Sequence, residues 1–252
     1  MSSQRPPFAE RSFRLTDSPN PQWVNGNGTN DVSQTGNKVT IDPYEDGRPS
    51  ISNYKLLTSA VTPHPIALIS SVSSDGVNNL APFSYFNMVN SDPPIFVVGI
   101  SQGRNGKDTA KNIIETGECT INIISEWYVE AANASCVNAP DDVDELDLVG
   151  LNQEPGRVVK APIVKESAFS IECKLVSKHD WFSKKDETRQ TGSTFLLEGV
   201  MFHAREDVIN ETKDGIDFGK LKPVGRLGGS IFARVTEGFD LARPEWPNGD
   251  LK

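Results

Sequence analysis

Residues 62–109 constrain the fold of this chain more than any other stretch, because short apolar runs and turn residues alternate along it. Two apolar runs, Ile66–Val72 and Leu80–Val89, flank a Ser-Ser-Asp-Gly turn, and a third, Ile95–Ile100, follows a Pro-Pro pair. Runs of this length, rich in Val and Ile and bounded by Gly, Pro and Asp, predict β-strands. The stretch ends in a glycine-rich loop at the start of a helix, which is the kind of terminus that attracts anions.

The rest of the chain continues this mainly β pattern. The predicted strands are residues 66–73, 80–89, 95–101, 118–125, 168–179, 195–205 and 231–236, and the predicted helices are residues 108–116, 126–137 and a short piece near 216–221. Helix 108–116 has the clearest ends, because Asp108 can accept hydrogen bonds from the free N–H groups of the first turn and Gly117 can provide a left-handed C-cap. About seven strands with few helices predict an antiparallel barrel, in which closure removes exposed strand edges.

Residues 1–53 differ from the rest, since Pro, Gly, Asn and Ser fill 23 of these positions and no apolar periodicity is visible. Such a segment does not bury enough apolar surface to offset the entropy of ordering it. It contains four separated aromatic residues, Phe8, Phe13, Trp23 and Tyr44. Because aromatic residues are sparse in true linkers, they favour an arm lying on another surface over a free tail. We predict an N-terminal extension over residues 1–53, one barrel domain over 54–245 and a C-terminal tail over 246–252.

The charge balance argues against several classes of partner. With 25 Lys and Arg against 34 Asp and Glu, the net charge is −9, so neither nucleic acid nor an anionic membrane is an expected partner. No apolar run approaches the ~18 residues of a membrane span, and the first residues form no apolar signal region, which predicts a cytoplasmic protein. The three histidines share no ligand spacing, so no metal site is predicted. Cys119 and Cys173 lie in apolar runs and are predicted to be buried thiols.

The loop Gly103–Thr109 is the first candidate binding feature. A helix N-terminus has unpaired N–H donors and about half a unit of positive partial charge. Lys107 would add a full charge, and Thr109 a hydroxyl donor, towards a phosphate. The loop is not a nucleotide P-loop, because that motif needs Gly where the chain has Ser101, and Ser or Thr where it has Asp108. Taken alone, an ordinary capped surface helix is the alternative.

The segment Asn78–Ser84 is the second candidate. Pro82 has no N–H group for a strand ladder, so the strand is predicted to be an edge strand or to carry a bulge at that point. A bulge frees backbone N–H and C=O groups to face a ligand. Together with Asn79 and Ser84, these groups match the alternating acceptors and donors along one edge of an isoalloxazine ring. A plain β-bulge without a ligand is the alternative.

The third candidate is His64, within Thr62-Pro63-His64-Pro65. Each proline holds the preceding residue extended, so His64 projects from a stiff strand entry. A surface or core histidine without a ligand is the alternative. The chain has no GxSxG elbow, no HExxH motif and no GxGxxG after a strand. A covalent nucleophile, a zinc centre and a Rossmann dinucleotide site are therefore not predicted.

In their order along the chain, these segments resemble the flavin reductase-like, FMN-binding split-barrel family. The likeness extends from about Tyr44 to Pro244. It is carried by IDPYEDGRPSISNYKLLTSAVTPHPIALISS, NNLAPFSYFN, DPPIFVVGIS, GKDTAKNIIETGECTINIIS, EAANAS and RLGGSIFARVTEG. Several ordered motifs at consistent spacing make the match more specific than any one of them. The chain is similar above all to the branch with an N-terminal extension found in fungi and bacteria.

The resemblance implies a mainly β split barrel of six or seven antiparallel strands, a homodimer, and FMN bound near the subunit interface. It implies that residues 62–65 and 79–84 line the flavin, and that Ser101 and residues 107–109 hold its phosphate and ribityl chain. The turn Arg226–Gly229, of either subunit, would approach the site. The implied cofactor-binding residues are Thr62, Pro63, His64, Asn79, Leu80, Ala81, Pro82, Ser84, Ser101, Lys107, Asp108, Thr109 and Arg226.

Two positions depart from the family pattern. His64 stands where family members often have Arg, which weakens a charge contact at neutral pH because a free histidine titrates near ~6.5. Phe232 stands where Tyr is common after the Gly-Gly turn, so a hydroxyl contact that bears on the hydride donor or substrate is lost. Lys107 and the helix start are retained, so FMN binding is still expected.

The expected function is an FMN-dependent oxidoreductase. NADH or NADPH would pass a hydride to the flavin, and the flavin would pass electrons to a small-molecule acceptor. The sequence leaves free flavin, ferric iron, a quinone and an organic substrate open as acceptors. Hydride transfer needs no side-chain acid or base, in agreement with the lack of a catalytic dyad in the sequence. Two alternatives stay open: a flavin-binding module without turnover, and a haem or pyridoxal-phosphate protein on a related split barrel.

Overall fold

The computed structural model describes residues 5–31, 36–103 and 106–244. The strands are β1 (Arg14–Thr16), β2 (Ala67–Val72), β3 (Asn78–Phe83), β4 (Phe86–Ser91), β5 (Pro94–Ser101), β6 (Glu118–Ile123), β7 (Gln153–Glu154), β8 (Ile163–Val164), β9 (Phe169–Phe182), β10 (Gln190–Ala204), β11 (Val224–Arg226), β12 (Phe232–Arg234) and β13 (Glu237–Phe239). The helices are α1 (Ser50–Ala60), α2 (Asp108–Thr116), α3 (Val129–Ala134), α4 (Glu145–Val149) and α5 (Phe218–Leu221), with a 3-10 turn at Glu126–Tyr128.

Seven of the strands form one antiparallel sheet in the order β3-β2-β6-β9-β10-β5-β4. Its two edge strands, β3 and β4, are consecutive in the chain and are joined only by Ser84 and Tyr85. Three peptide units reach about 11 Å at most, whereas the edges of a flat seven-stranded sheet lie about 29 Å apart. The sheet must therefore curl until its two edges meet. This geometry confirms the prediction of a mainly β split barrel.

The inner face of the curled sheet carries the apolar core. Side chains alternate between the two faces of a strand, so every second residue of β2, β6, β9 and β10 points inwards. The inward residues include Ile69, Ile121 and Phe195, all fully buried. Cys119 and Cys173 face each other across β6 and β9 in the same core, and both are buried as predicted.

The outer face of β2, β6 and β9 carries polar side chains that are also buried. They are Ser70, Thr120, Asn122, Ser170 and Glu172. Residues 156–164, here called the strap, cover them. Backbone groups of the strap bind all of these side chains except Ser170, which donates from Oγ to Asn122 Oδ1 at 2.8 Å. Thr120 donates from Oγ1 to the Ala161 carbonyl at 2.9 Å, and Asn122 Oδ1 accepts the Val164 N–H at 3.0 Å. These hydrogen bonds offset the cost of removing the polar groups from water.

A second buried cluster packs the short helices α3 and α4 against β2 and β3. Leu68 and Leu80 of the two strands contact Ala132 of α3 and Leu146 of α4, and all four side chains are fully buried. Burying each of the three leucine side chains stabilises the fold by about 1.5–3 kcal/mol. Helix α4 is thereby held against the outer edge of the barrel, where Glu145 of its first turn reaches β3.

Most predicted elements are present, with shifted ends. The prediction of a single strand over residues 80–89 is wrong, because the chain turns at Ser84-Tyr85 and leaves the sheet at one edge to re-enter at the other. The predicted strands 168–179 and 195–205 are the long hairpin β9–β10. Of the predicted strand 231–236, only β12 is observed. The predicted helix 126–137 consists of the 3-10 turn followed by α3, and the predicted helix 216–221 contains α5.

The N-terminal segment lies along the C-terminal part of the chain. Strand β1 pairs in parallel with β13, and the Phe13 and Phe218 rings have centroids 5.6 Å apart. The Arg234 guanidinium lies 4.6 Å from the centroid of the Phe8 ring. Helix α1, which the sequence analysis did not predict, begins at Ser50 and so crosses the predicted boundary after residue 53.

The predicted tail, residues 246–252, lies outside the described residues. Within the described part of the chain, no helix has the length and apolar character needed to cross a membrane.

Candidate functional site

Helix α2 begins without a side-chain cap. Its N-cap residue, Lys107, is extended at φ −134° and ψ 131°, and among the described residues no side chain accepts a capping hydrogen bond from the first turn. The shorter helices α4 and α5 are both capped, by Asp144 and Asp217 respectively. The uncapped N–H groups and the helix dipole therefore leave the start of α2 favourable for an anion.

The prediction that Asp108 caps α2 is wrong. Asp108 is the first helical residue rather than the N-cap, and its carboxylate accepts no capping hydrogen bond from that turn. Its negative charge in the first turn still stabilises the helix through the dipole. Gly117 does provide the predicted left-handed C-cap, with φ 74°.

A buried hydrogen-bond network joins α2 to β3. Thr109 donates from Oγ1 to Asn79 Oδ1 at 2.7 Å, and Asn79 donates from Nδ2 to Glu145 Oε2 at 2.9 Å. The same carboxylate oxygen accepts the Leu80 N–H at 3.0 Å. Because all three side chains are buried, the network fixes the position of β3 relative to the start of α2. Two side chains predicted to face a ligand, Asn79 and Thr109, thus bind each other, and Glu145 is a component that sequence reasoning missed.

Strand β3 presents its outer edge beside this network. Of the two arrangements predicted from Pro82, the edge strand is the one observed, since β3 pairs with β2 in continuous register with Leu68 opposite Pro82. The Leu80 N–H points away from β2, since it donates to Glu145. The N–H and C=O of one strand residue point to the same side, and residues two apart share that side. The C=O groups of Leu80 and Pro82 therefore face outwards. The Leu80 side chain is fully buried, so this residue offers only backbone groups to a ligand.

A second part of the candidate site is a short antiparallel ladder between His64 and Arg226, at the opposite end of β3 from the start of α2. Each residue donates its N–H to the C=O of the other at 2.9 Å. His64 Nε2 lies 3.2 Å from the Thr58 carbonyl of α1, and Arg226 donates from Nη2 to the Gly229 carbonyl at 2.6 Å. The turn that contains Arg226 therefore reaches the 62–65 segment within the same chain. Phe232 pairs with Arg226 across β11 and β12.

Tyr85 lies in this part of the site, although sequence reasoning did not single it out. It occupies the turn after Ser84, and its C=O accepts the Gly99 N–H of β5 at 2.7 Å. Partial burial raises the pKa of Tyr85, nearby Tyr54 raises it further, and the positive charge of Arg226 acts in the opposite direction. The residue was missed because the turn that exposes it was predicted to be the middle of a strand.

The loop between β5 and α2 leads directly into the uncapped start of α2 described above. Ser101 ends β5, exposed and opposite Gly192 of β10. Lys107 donates from Nζ to Asn138 Oδ1 at 3.1 Å. Gly103 and Gly106 have φ values of 63° and 87°, which favour glycine. The two loop residues between these glycines lie outside the described residues.

The structure gathers the predicted residues into two groups joined by β3. The first group is Asn79, Ser101, Lys107, Asp108 and Thr109, the second is Thr62, Pro63, His64, Ser84 and Arg226, and Leu80, Ala81 and Pro82 lie between them. The strand separates the groups by about 17 Å, the rise of five extended residues. The binding roles of these residues stay predictions.

Comparisons with known proteins agree with this architecture. The sequence pattern of the flavin reductase like domain matches residues 59–212. YwrF of Bacillus subtilis, a protein described as uncharacterized, is 37% identical over 193 residues, which are 76% of this chain and 93% of YwrF.

Two crystal structures resemble the chain closely. Nitrilotriacetate monooxygenase component B from Bacillus cereus is 33% identical with a TM-score of 0.76, covering 82% of this chain and 100% of its own. The 2-nitrobenzoate 2-nitroreductase NbaA from Pseudomonas fluorescens is 32% identical with a TM-score of 0.70, and the match covers 85% of this chain and 99% of NbaA. These likenesses support a flavin-linked redox function. The domain match, the sequence identity and the shared split barrel together show that the chain belongs to the flavin reductase-like family.

Proposed function

We propose that the chain is an FMN-dependent oxidoreductase that takes a hydride from NADH or NADPH and passes electrons to a second, small-molecule acceptor. The observation that carries this proposal is the uncapped, lysine-headed start of α2 at one end of an exposed strand edge. The other end of that edge meets the His64–Arg226 ladder. Membership of the flavin reductase-like family supports the flavin-linked chemistry, and the donor set favours FMN.

The start of α2 fits a phosphate. The backbone N–H groups of Asp108 and Thr109 have no intrahelical acceptor, because the hydrogen bonds of a helix begin only after its first turn. The Lys107 ammonium adds a positive charge at this terminus, and its hydrogen bond to Asn138 is to a neutral amide. The Thr109 hydroxyl is occupied by Asn79, so we assign phosphate binding to the backbone and Lys107.

The outer edge of β3 fits the polar edge of a flavin ring. The outward C=O groups of Leu80 and Pro82 can accept from a ring N–H, and the N–H of Ser84 can donate to a ring carbonyl. Bound FMN would supply hydride acceptance and electron transfer. The residues of this chain would hold the ring in place, with Tyr85 and His64 limiting the access of water at its far end. Neither role needs a side chain to take up or release a proton.

Titration of the apoprotein with FMN tests the phosphate assignment. We expect Lys107→Ala to weaken FMN binding by about 1.5–3 kcal/mol, the contribution of a charge-assisted hydrogen bond. Lys111→Ala is the matched control, because Lys111 is an exposed lysine one turn further along α2. An unchanged dissociation constant in Lys107→Ala, or an equal loss in the control, would refute the assignment.

Stopped-flow reduction of the FMN-loaded protein tests turnover. We expect NADH or NADPH to bleach the flavin absorbance near ~450 nm, as in cofactor-dependent hydride transfer. If neither donor reduces the bound flavin, the chain is a flavin-binding module rather than a reductase. An acceptor screen with the reduced protein then identifies the second substrate.

We also propose that the chain works as a homodimer. Helix α1 and the residue that follows it expose the apolar side chains Ile51, Tyr54, Leu57 and Val61, each at least 40% accessible. At these spacings they form a stripe on one side of the helix, next to the Thr58 carbonyl that contacts His64. Exposed apolar stripes of this kind mark protein interfaces.

Light scattering coupled to size exclusion tests the dimer. We expect the wild-type chain to have twice the mass of one chain, and Leu57→Glu to reduce that mass by half. Lys55→Glu, on the same helix outside the stripe, should leave the mass unchanged. A wild-type mass equal to one chain would contradict the proposal.

A further inference from the structure

Arg226, at the His64 end of the candidate site, has no carboxylate partner within the described residues. The residue is half-buried, and its guanidinium donates one hydrogen bond, from Nη2 to the Gly229 carbonyl at 2.6 Å. An arginine side chain has five N–H donors. Within the part of the chain that the structure describes, the other donors are left for a further acceptor.

The strand register places three side chains of this region in one row. Arg226 pairs with His64 through two backbone hydrogen bonds, and it pairs with Phe232 across β11 and β12 on its other side. Directly opposite residues of antiparallel strands carry their side chains on the same face, with Cβ atoms about 4.5–5.5 Å apart. The guanidinium therefore extends from the middle of a row, with an imidazole on one side and a phenyl ring on the other.

The last turn of α1 bounds this row on one side. His64 Nε2 lies 3.2 Å from the Thr58 carbonyl, which can only accept, so Nε2 carries a proton and donates to it. Gly228 lies against the same carbonyl, and a Cβ added to it would be 2.7 Å from that oxygen. The turn after Arg226 is thus in contact with α1, whereas the Phe232 side chain is 36% exposed and accessible to a ligand.

These groups suit a flat organic anion. A guanidinium presents parallel N–H donors that match the oxygens of a carboxylate, and a phenyl ring packs favourably against another ring. The 2′-phosphate of NADPH is the other anion to consider. It is separated from the nicotinamide by both riboses and the pyrophosphate, whereas an acid group attached directly to the ring of a small acceptor stays close to the part of the molecule that reacts.

We propose that the second, small-molecule acceptor is a flat organic anion, with its carboxylate or sulfonate paired to Arg226 and its ring against Phe232. This inference rests on the proposed function, since it names the class of acceptor for the same site. The family resemblance implied that Arg226 binds the cofactor. We assign it instead to the acceptor, because the FMN phosphate is assigned to Lys107 and the start of α2, about 17 Å away along β3.

Isothermal titration of the FMN-loaded full-length chain with naphthalene-2-sulfonate, which accepts no electrons from reduced flavin, tests this binding without turnover. We expect saturable binding, and about 10-fold or weaker binding of the uncharged 2-naphthol. Arg226→Gln should weaken binding of the sulfonate by about 10- to 100-fold, because it removes a charge-assisted contact but keeps the backbone ladder to His64. Arg157→Gln is the matched control, since Arg157 is an exposed arginine on the strap, also without an ion pair among the described residues, and should have no effect.

Anaerobic stopped-flow oxidation of the reduced, FMN-loaded protein tests the role as acceptor. Each quinone takes a hydride from the reduced flavin and a proton from water and leaves as the hydroquinone, while the flavin returns to its oxidised form. Arg226→Gln should lower kcat/KM for 1,4-naphthoquinone-2-sulfonate by about 10- to 100-fold and leave that for 1,4-naphthoquinone unchanged. If the variant weakens binding of NADP⁺ but not of NAD⁺ or the sulfonate, Arg226 binds the phosphate of the donor and the proposal is overturned.

A second variant keeps the proposal testable if Arg226→Gln fails to fold. Phe232→Leu removes the ring but keeps an apolar side chain, and should weaken binding of naphthalene-2-sulfonate by about 2- to 10-fold, the contribution of an aromatic contact. The proposal is also overturned if the sulfonate gives no saturable heat, if both site variants bind it as well as Arg157→Gln does, or if Arg226→Gln weakens FMN binding as much as Lys107→Ala. Failure of the proposed function is distinguishable, because a chain whose flavin neither NADH nor NADPH reduces can still bind the sulfonate through Arg226.

Discussion

Replacing Glu172 by Gln should be among the most destabilising single changes of one polar atom in this chain. The two oxygens of Glu172 accept four hydrogen bonds: Oε2 accepts the N–H groups of Val158 and Val159, and Oε1 accepts the Arg157 N–H and the His203 Nε2–H. A glutamine has the same shape but replaces one of these oxygens by an NH₂ group. The two donors on the replaced oxygen then face another donor at a fully buried position.

The magnitude follows from these contacts. Each hydrogen bond to a charged group contributes about 1.5–3 kcal/mol, so losing two of them gives about 3–6 kcal/mol. Mutations that leave one partner of a buried charged pair alone cost about 3–5 kcal/mol, which agrees with that range. Domains of this size are stable by about 5–15 kcal/mol, so the variant should fold with much of its stability lost.

Urea unfolding followed by circular dichroism measures this loss. Glu118→Gln is the matched control, because within the described residues the Glu118 carboxylate accepts one hydrogen bond, from the Lys160 N–H at 2.7 Å, at a partly exposed position. We expect the control to lose about 1 kcal/mol. If Glu172→Gln loses no more free energy of unfolding than Glu118→Gln, the reasoning about the buried carboxylate is refuted.

Three further expectations follow from the same structure. The pKa of Glu172 is lowered in the folded state, so the ionised carboxylate should contribute its full stabilisation above the ordinary pKa near 4.5. This stabilisation should decline as the pH falls through the lowered pKa of the folded state. Urea titrations at acid pH should therefore show a smaller difference in unfolding free energy between wild type and Glu172→Gln. Gly228 has φ +91°, and Gly228→Ala would place its Cβ 2.7 Å from the Thr58 carbonyl oxygen. Gly229 has φ +53°, and a Cβ there would meet no described atom within 4 Å. Thermal melting should therefore show a larger loss of stability for Gly228→Ala than for Gly229→Ala. Trypsin should cleave residues 1–53 more slowly when FMN is bound, if the arm covers the site; equal rates with and without FMN would contradict that idea.

The sequence predicted the barrel well where strand ends carry turn residues. The Ser-Ser-Asp-Gly turn, the Pro93-Pro94 pair and Gly117 all lie at or beside the observed ends of strands and helices. Residues 83–86, Phe-Ser-Tyr-Phe, contain no Gly, Pro, Asn or Asp to mark the turn itself, so two strands were predicted as one. That error hid the most informative step of the topology, the crossing from one sheet edge to the other.

The alternation of polar and apolar residues was informative about the core but not about the outer face. Residues such as Thr120 and Asn122 have the pattern of a solvated face, and only the strap, which is distant in sequence, buries them. Burial of this kind depends on tertiary contacts that no local pattern carries.

Within the candidate site, Pro82 correctly indicated an edge strand, and Lys107 was correctly placed at the start of α2. The roles of Asn79 and Thr109 were harder to predict, because a polar side chain next to a binding site can equally bind its neighbour. Glu145 was missed since it comes from a short helix that lies more than sixty residues beyond β3 in the chain. Its contact with β3 depends on the packing of α4 rather than on any motif.

The ladder between His64 and Arg226 has a consequence for how the protein is made in the cell. Roughly 160 residues separate the two partners, and a ribosome adding about 5–20 residues per second needs roughly 8–30 s to synthesise them. The two walls at that end of the candidate site therefore cannot meet until residue 226 has been synthesised. Under the proposed function, chains stalled before residue 226 should therefore fail to retain a flavin.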